Sequence, residues 1–252
     1  MSQALLRTEG VVKRFGGIAA LQGVSVAVPA NSIFGIVGPN GAGKSVLFNV
    51  ITGFLAPDGG RVWLADRELT GLPPHLVATR GLARTFQEPR IIRSLTCLEN
   101  VLLAQLPKGL LAGLRVMVGH PWVPASADQR RTAAEALRTV GLAQKANSAA
   151  GILSYGQQKL LALACAISLH PQVVLLDEPT AGVNPRAIDH LLDRITALHR
   201  EGMTFVIVEH NMKVITSLCS RVLVLSQGRP LAEGTPREIQ GDPRVVEAYL
   251  GA

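Results

Sequence analysis

The sequence predicts an α/β fold: a mostly parallel sheet with helices on both faces, an antiparallel β subdomain near the N-terminus and an inserted α-helical subdomain. Three observations carry this. Residues 33–37, 173–176, 205–208 and 222–225 are short, nearly continuous apolar runs, as in strands buried on both faces. Helical patterns fall between them; after Asn184-Pro185, the residues Ile188, Leu191, Leu192, Ile195 and Leu198 mark one face of a helix over 186–200. Few strand signals occur between Pro89 and Ile152, where Thr96 with Glu99, Ser126 with Gln129 and Ser154 with Gln157 each form an S/T-x-x-E/Q capping box.

Taken in chain order, the run 33–37 leads into a glycine-rich turn and a helix over 46–52. Pro57-Asp58-Gly59-Gly60 is a turn before a strand at 61–64, and Ala65-Asp66 then closes an antiparallel hairpin. Residues 127–140 read as a helix that stops at Gly141, and a further helix covers 159–169. These elements predict one domain over 1–252, with an α/β core and β subdomain in 1–88 and 168–252 and the helical insertion in 89–167.

Composition bounds the function. With 48% hydrophobic and 17% charged residues, the chain has material for a sizeable core and is too apolar to be disordered. The net charge of +7 favours phosphates, nucleic acid or an anionic membrane face without selecting one. Aromatic residues are 4% and scattered, which argues against a stacking platform for single strands. Cys97, Cys165 and Cys219 are odd in number and far apart, as in a reduced cytosolic protein. The start MSQALLRTEG lacks the apolar stretch of a secretory signal. No charge lies between Arg14 and Lys44, but glycines and prolines chop that stretch into strand-sized pieces, so no membrane span is expected.

Three motifs carry chemistry. Gly38-Pro39-Asn40-Gly41-Ala42-Gly43-Lys44-Ser45 fits GxxxxGK[ST] between a strand and a helix, the P-loop of an NTPase core. Its glycines let backbone amides curl around a phosphate chain, Lys44 reaches the β- and γ-phosphates, and Ser45 ligates Mg2+. The run 173–176 ends in Asp177 and Glu178, carboxylates at the sheet edge where open α/β sheets bind ligands. Asp177 suits Mg2+, and Glu178 suits orienting and polarising an attacking water. Leu153-Ser154-Tyr155-Gly156-Gln157-Gln158 has two readings: Ser154 caps a helix, or its hydroxyl, the Gly156 amide and the helix dipole form an anion site.

The P-loop, LSYGQQ, LLDEP and His210, in that order, resemble the nucleotide-binding domain of an ABC transporter over essentially the whole chain. The resemblance implies that Ser154, Tyr155, Gly156 and Gln157 face ATP bound to a second ATPase subunit. It also implies that Phe15 stacks on adenine, that Gln87 sits in the loop linking ATP to the membrane subunits and contributes to the metal site, and that His210 touches the γ-phosphate. Residues 181–184 would cross the dimer interface. Read without the family, Phe15 is equally a core aromatic and His210 a structural histidine at a sheet edge.

Ala83-Arg84-Thr85-Phe86-Gln87, Tyr155, residues 178–185, the lengthened region around 108–126 and the ending Ala248-Tyr249-Leu250-Gly251 resemble the branched-chain amino acid uptake ATPases. The urea-type uptake and lipopolysaccharide-export ATPases are close alternatives. The expectation is therefore an ATPase using ATP and Mg2+ on the cytoplasmic face of the cell membrane. Its partners would be a second ATPase subunit, homo- or heterodimeric, two membrane-spanning permease subunits and, indirectly, an extracytoplasmic solute-binding protein. Residues 89–95, with Ile91, Ile92 and Leu95, would meet the permease. Two other classes stay open: a nucleic-acid ABC ATPase, against which the single P-loop and the lack of sustained heptads argue, and a nucleotide-sensing module without turnover, which would be expected to lack Glu178 or His210. Two departures from the family stand out: Val46 where a second hydroxyl usually bonds the α-phosphate, and Asn211 where an Asp is common.

Overall fold

The computed structural model describes residues 4–106 and 125–250. It divides into two compact units. The first comprises the described residues up to Gln87, Gln172–Thr180, and those from Ile195 onward; the second comprises those of Glu88–Pro171 and Ala181–Arg194.

The first unit holds two sheets. An antiparallel sheet has the order β2-β1-β4-β5, with β1 Ala4–Phe15, β2 Ile18–Pro29, β4 Gly59–Leu64 and β5 Arg67–Glu68. The uncharged N-terminal stretch is thus less chopped than its glycines imply. β2 runs through Gly23, which the sheet absorbs as a bulge: Val11 pairs with Val24 and Val12 with Gln22, leaving Gly23 extra at φ +85°. The hairpin of β4 and β5 follows the predicted turn, with Ala65 left-handed at its tip.

The second sheet has the order β10-β9-β3-β8-β7-β6, with β3 Ile33–Val37, β6 Leu82–Arg84, β7 Val173–Asp177, β8 Thr204–Val208, β9 Arg221–Ser226 and β10 Arg229–Gly234. From β9 to β6 every pairing is parallel, and β10 closes the edge antiparallel to β9. All residues of β3, β7 and β8 are buried, which is why these strands read as unbroken apolar runs. Parallel strands end on one edge, and Asp177 pairs with Val208 in register. The segments after β3, β6, β7 and β8 therefore emerge side by side. Helix α1, Lys44–Ile51, sends Leu47, Phe48 and Ile51 into a core with Leu21, Phe34, Val173 and Val206.

The second unit is helical. α3 Cys97–Ala104, α4 Ala127–Thr139 and α5 Tyr155–Ile167 pack on one another; α2, Pro74–Thr79, belongs to the first unit. All three predicted capping boxes form, with the hydroxyl accepting the third amide and the acid or amide side chain accepting the cap amide. Gly141 follows α4 at φ +78°, the left-handed stop expected of it. Asn100, 5% exposed, accepts from the Ile92 amide at 2.8 Å and donates to the Ile92 and Thr96 carbonyls at 3.0 and 2.9 Å, holding residues 92–96 on α3. Ile92 is exposed, while Ile91 and Leu95 are half-buried. Most of the lengthened region around 108–126 lies outside the described residues.

The sequence boundaries put all of 168–252 in the α/β core, whereas 168–171 and 181–194 group with the helical unit. The reason is a close approach. A Cβ on Gly182 would stand 3.1 Å from the Tyr155 ring, and one on Gly156 would stand 2.7 Å from Ala187 Cβ. Those contacts bind Gly182, before α6 (Pro185–Arg200), and Ala187, in its first turn, to the start of α5.

The remaining α-helices among the described residues are α7 Met212–Leu218, α8 Pro236–Gly241 and α9 Pro243–Leu250. Among the described residues no helix is long and apolar enough to cross a membrane. The three cysteines are free thiols, and burial raises all three, Cys165 and Cys219 to about 12, so they stay protonated and inert at neutral pH.

Candidate nucleotide site

β3 ends at Val37, and the chain turns at Gly38 with φ +150°, where a Cβ would lie 2.1 Å from the Leu225 carbonyl oxygen. Only glycine permits that approach. Gly43 precedes α1 in a left-handed conformation, and no side chain caps the helix. The first intrahelical bond runs from the Leu47 amide to the Gly43 carbonyl at 2.9 Å. The amides of Lys44, Ser45 and Val46 thus have no partner within the helix. α3, α4, α5 and α8 begin with reciprocal capping boxes, whereas α1, like the short α2, has no side-chain cap, and its positive end is left for an external anion.

Lys44 is 6% exposed and donates to the Gly38 and Pro39 carbonyls at 2.7 and 2.9 Å. It braces the loop from within and keeps a third N–H donor. Burial draws its pKa below the ordinary lysine range, and the Glu178 carboxylate partly restores it. Asn40, Gly41 and Ser45 are exposed, Pro39 and Gly43 are half-buried, and Ala42 is buried. Val46 is half-buried against the core.

The structure brings two of the predicted residues onto the carboxylate of a third. Glu178 follows β7 at φ +44°, a left-handed conformation unusual for glutamate, with its amide donating to the Val208 carbonyl at 2.9 Å. Its Oε1 lies 2.7 Å from His210 Nε2, and its Oε2 accepts from Gln87 Nε2 at 2.9 Å. Gln87 comes from the segment after β6 and His210 from the segment after β8, so the parallel register of β6, β7 and β8 assembles the trio. Asn211 caps α7, accepting from the Lys213 amide at 3.0 Å. Asn and Asp are equivalent caps, so this departure from the family is structurally neutral. Phe15 ends β1 with 47% of its surface exposed and the Lys13 ammonium 5.7 Å from its ring, which removes the core-aromatic reading.

Asp177, 9% exposed, forms an ion pair that the sequence reading missed. Arg84 Nη2 donates to Asp177 Oδ2 at 2.6 Å, and Nη1 donates to Asn49 Oδ1 at 2.7 Å and Thr52 Oγ1 at 3.1 Å. The guanidinium also stands 5.6, 5.8 and 5.0 Å from the rings of Phe48, Phe54 and Phe86. Arg84 therefore ties β7 to the C-terminal end of α1. Its signal was a charge closing an apolar strand; the adjacency of β6 and β7 that gives it meaning is not written in local sequence.

Oxygen donors are what this region offers a metal: the Ser45 hydroxyl, the Gln87 amide and Asp177, whose pairing with Arg84 engages Oδ2 and leaves Oδ1. A hard cation such as Mg2+, which takes few protein ligands and shares the rest with phosphate and water, fits that set.

In the second unit, Ser154 caps α5, its Oγ accepting the Gln157 amide at 3.4 Å while Gln157 Oε1 accepts the Ser154 amide at 3.1 Å and the Lys145 ammonium at 3.2 Å. Ser154 and Tyr155 are exposed and Gly156 is buried. The cap is thus real, and the hydroxyl still faces solvent.

The comparisons with known proteins agree with this geometry. Residues 21–181 match the family model described as ABC transporter, and residues 229–252 match that described as branched-chain amino acid ATP-binding cassette transporter. The chain is 41% identical over its full length to 99% of the high-affinity branched-chain amino acid transport ATP-binding protein BraF of Pseudomonas aeruginosa. It is 40% identical, with the same coverage, to LivG of Escherichia coli K12, which carries the same description. Among solved structures, the ADP conformation of an ATP-binding cassette of an ABC transporter superposes with a TM-score of 0.90 at 35% identity, covering 100% of both chains. A motif order, a sheet topology and full-length similarity thus converge: the chain belongs to the ABC transporter ATPases, in the branch of the branched-chain amino acid transport ATP-binding proteins.

Proposed function

We propose that this ATPase powers the import of branched-chain amino acids from the cytoplasmic face of the membrane, as one of two ATPase subunits bound to two permease subunits and served by an extracytoplasmic solute-binding protein. The observation that carries the hydrolytic part is the placement of Glu178, held between Gln87 and His210, beside an uncapped P-loop helix. The solute rests on the full-length similarity to proteins described as branched-chain amino acid transporters.

In this reading the amides of Gly41 and of Gly43 to Val46, with the Lys44 ammonium, hold the phosphate chain, and Phe15 offers its exposed ring to the adenine. Ser45, Gln87 and Asp177 hold Mg2+, which when bound neutralises charge on the β- and γ-phosphates. Glu178 orients the attacking water and accepts its proton, while His210 contacts the γ-phosphate and fixes the Glu178 carboxylate. Ser154, Tyr155, Gly156 and Gln157 of the second subunit cover the phosphates, and closure excludes water from the site.

Val46 brings its own prediction. A hydroxyl there would donate to the α-phosphate, and a hydrogen bond to a charged group contributes about 1.5–3 kcal/mol. Val46→Thr, nearly isosteric in its half-buried position, tightens ATP binding about tenfold. A calorimetric titration giving unchanged affinity contradicts the assignment of Val46 to the α-phosphate.

The transport reading is tested by reconstituting the complex in liposomes with its solute-binding protein. Leucine, isoleucine or valine is expected to stimulate ATP hydrolysis and to accumulate on the side of the membrane that carries the ATPase, opposite the binding protein. Stimulation by urea or short amides alone would contradict the assigned solute.

A further inference from the structure

We propose that Glu209 is a positioning residue for hydrolysis, a carboxylate clamp that fixes Glu178 and His210 relative to each other; the proposal rests on the hydrolytic roles assigned above. Glu209 is 3% exposed at the end of β8. Its Oε1 accepts from the Thr180 amide at 2.8 Å and from Thr180 Oγ1 at 2.5 Å. Its Oε2 accepts from the His210 amide at 3.1 Å and the Asn211 amide at 3.4 Å. One oxygen thus serves the segment that follows β7, and the other serves the segment that follows β8.

All four donors are neutral N–H or O–H groups, so a polar side chain buried here is held by hydrogen bonds, an expensive arrangement for a merely space-filling group. Thr180 is 6% exposed and stands two residues beyond Glu178; His210 is the next residue after the clamp. The same two segments already meet above the clamp, where His210 Nε2 lies 2.7 Å from Glu178 Oε1. Glu178 is held at φ +44° and needs support from outside its own backbone to stay there. The upper bridge carries the chemistry, and the buried lower bridge sets its span.

The residue type follows from this geometry. A carboxylate presents acceptors on both oxygens, whereas glutamine has one acceptor and would aim its NH2 at amide donors. Aspartate is one methylene too short to reach across. Gln in place of Glu209 therefore releases one of the two segments while keeping the volume.

Glu209→Gln in the full chain is expected to lower kcat for ATP hydrolysis about tenfold or more, which corresponds to about 1.4 kcal/mol of barrier, with ATP affinity unchanged by titration. Because the clamp acts on the span between Glu178 and His210, adding Glu209→Gln to a His210→Ala chain should cost clearly less rate than it costs the wild type. Additive losses, or a wild-type kcat, would overturn the proposal. Should Glu209→Gln fail to fold, Thr180→Val removes the hydroxyl donor alone; a several-fold fall in kcat at constant ATP affinity supports the clamp, and an unchanged kcat overturns it. Glu178→Gln, assayed alongside, separates the two levels. If that variant is inactive while Glu209→Gln turns over normally, the clamp alone is wrong; if Glu178→Gln hydrolyses ATP as the wild type does, the underlying reading falls and takes the clamp with it.

Discussion

Glu178→Gln stops phosphate release and leaves ATP bound. The glutamine keeps the length of the side chain and can still bond to Gln87 and His210, so the pocket around it should persist. It cannot take a proton from water. General-base assistance is typically worth about 10²–10⁴-fold in rate, and the variant should lose at least the lower figure. Phosphoryl transfer to water needs little other covalent help, so positioning alone should not rescue turnover. The check is steady-state phosphate release together with gel filtration in ATP. Hydrolysis falls to background, and a closed dimer holding two nucleotides accumulates. Turnover near the wild-type rate would mean that another group activates the water.

The second large effect is on stability. Arg84→Met removes the guanidinium from Asp177 while leaving an apolar side chain among Phe48, Phe54 and Phe86. Both partners are nearly buried, with 7% and 12% of their side-chain surface exposed. Removing one member of such a pair strands the other charge and typically costs about 3–5 kcal/mol. For a chain of this size about 1 kcal/mol lowers Tm by about 2–4 °C, so a drop on the order of 10 °C is expected. Thr52 and Asn49 also lose their donor, which loosens the end of α1. Differential scanning calorimetry decides the matter. An unchanged Tm would show that the aromatic rings, not the ion pair, hold this corner together.

How much of this was legible in the sequence depends on the range of the interaction. The capping boxes at Thr96, Ser126 and Ser154 span three residues each, and all three form. The buried strands β3, β7 and β8 announce themselves because burial on both faces leaves no polar alternation to obscure them. β10, α8 and α9 are too short or too polar for periodicity to register, and the box of Thr235 and Glu238 went unnoticed. Arg84 and Glu209 were missed for a deeper reason. Their partners, Asp177 and Thr180, are 93 and 29 residues away in sequence, and only strand order brings them together. Gln87 and His210 were no more visible from local pattern; they entered through the family resemblance, and the sheet register then supplied the physical reason. The grouping of 181–194 with the helical unit was not legible, because packing of Gly156 against Ala187 leaves no mark in either segment's hydrophobicity.

The central claim is that unpartnered amides at the start of α1, together with Lys44, hold a triphosphate that Glu178 then hydrolyses. A crystal structure of the Glu178→Gln chain grown with Mg-ATP tests it most directly. The account predicts phosphate oxygens on the amides of Lys44, Ser45 and Val46, the ion beside Ser45 and Asp177, and Ser154 of a second copy against the γ-phosphate. Nucleotide bound elsewhere, with the loop from Gly38 to Ser45 carrying none of it, would contradict the account.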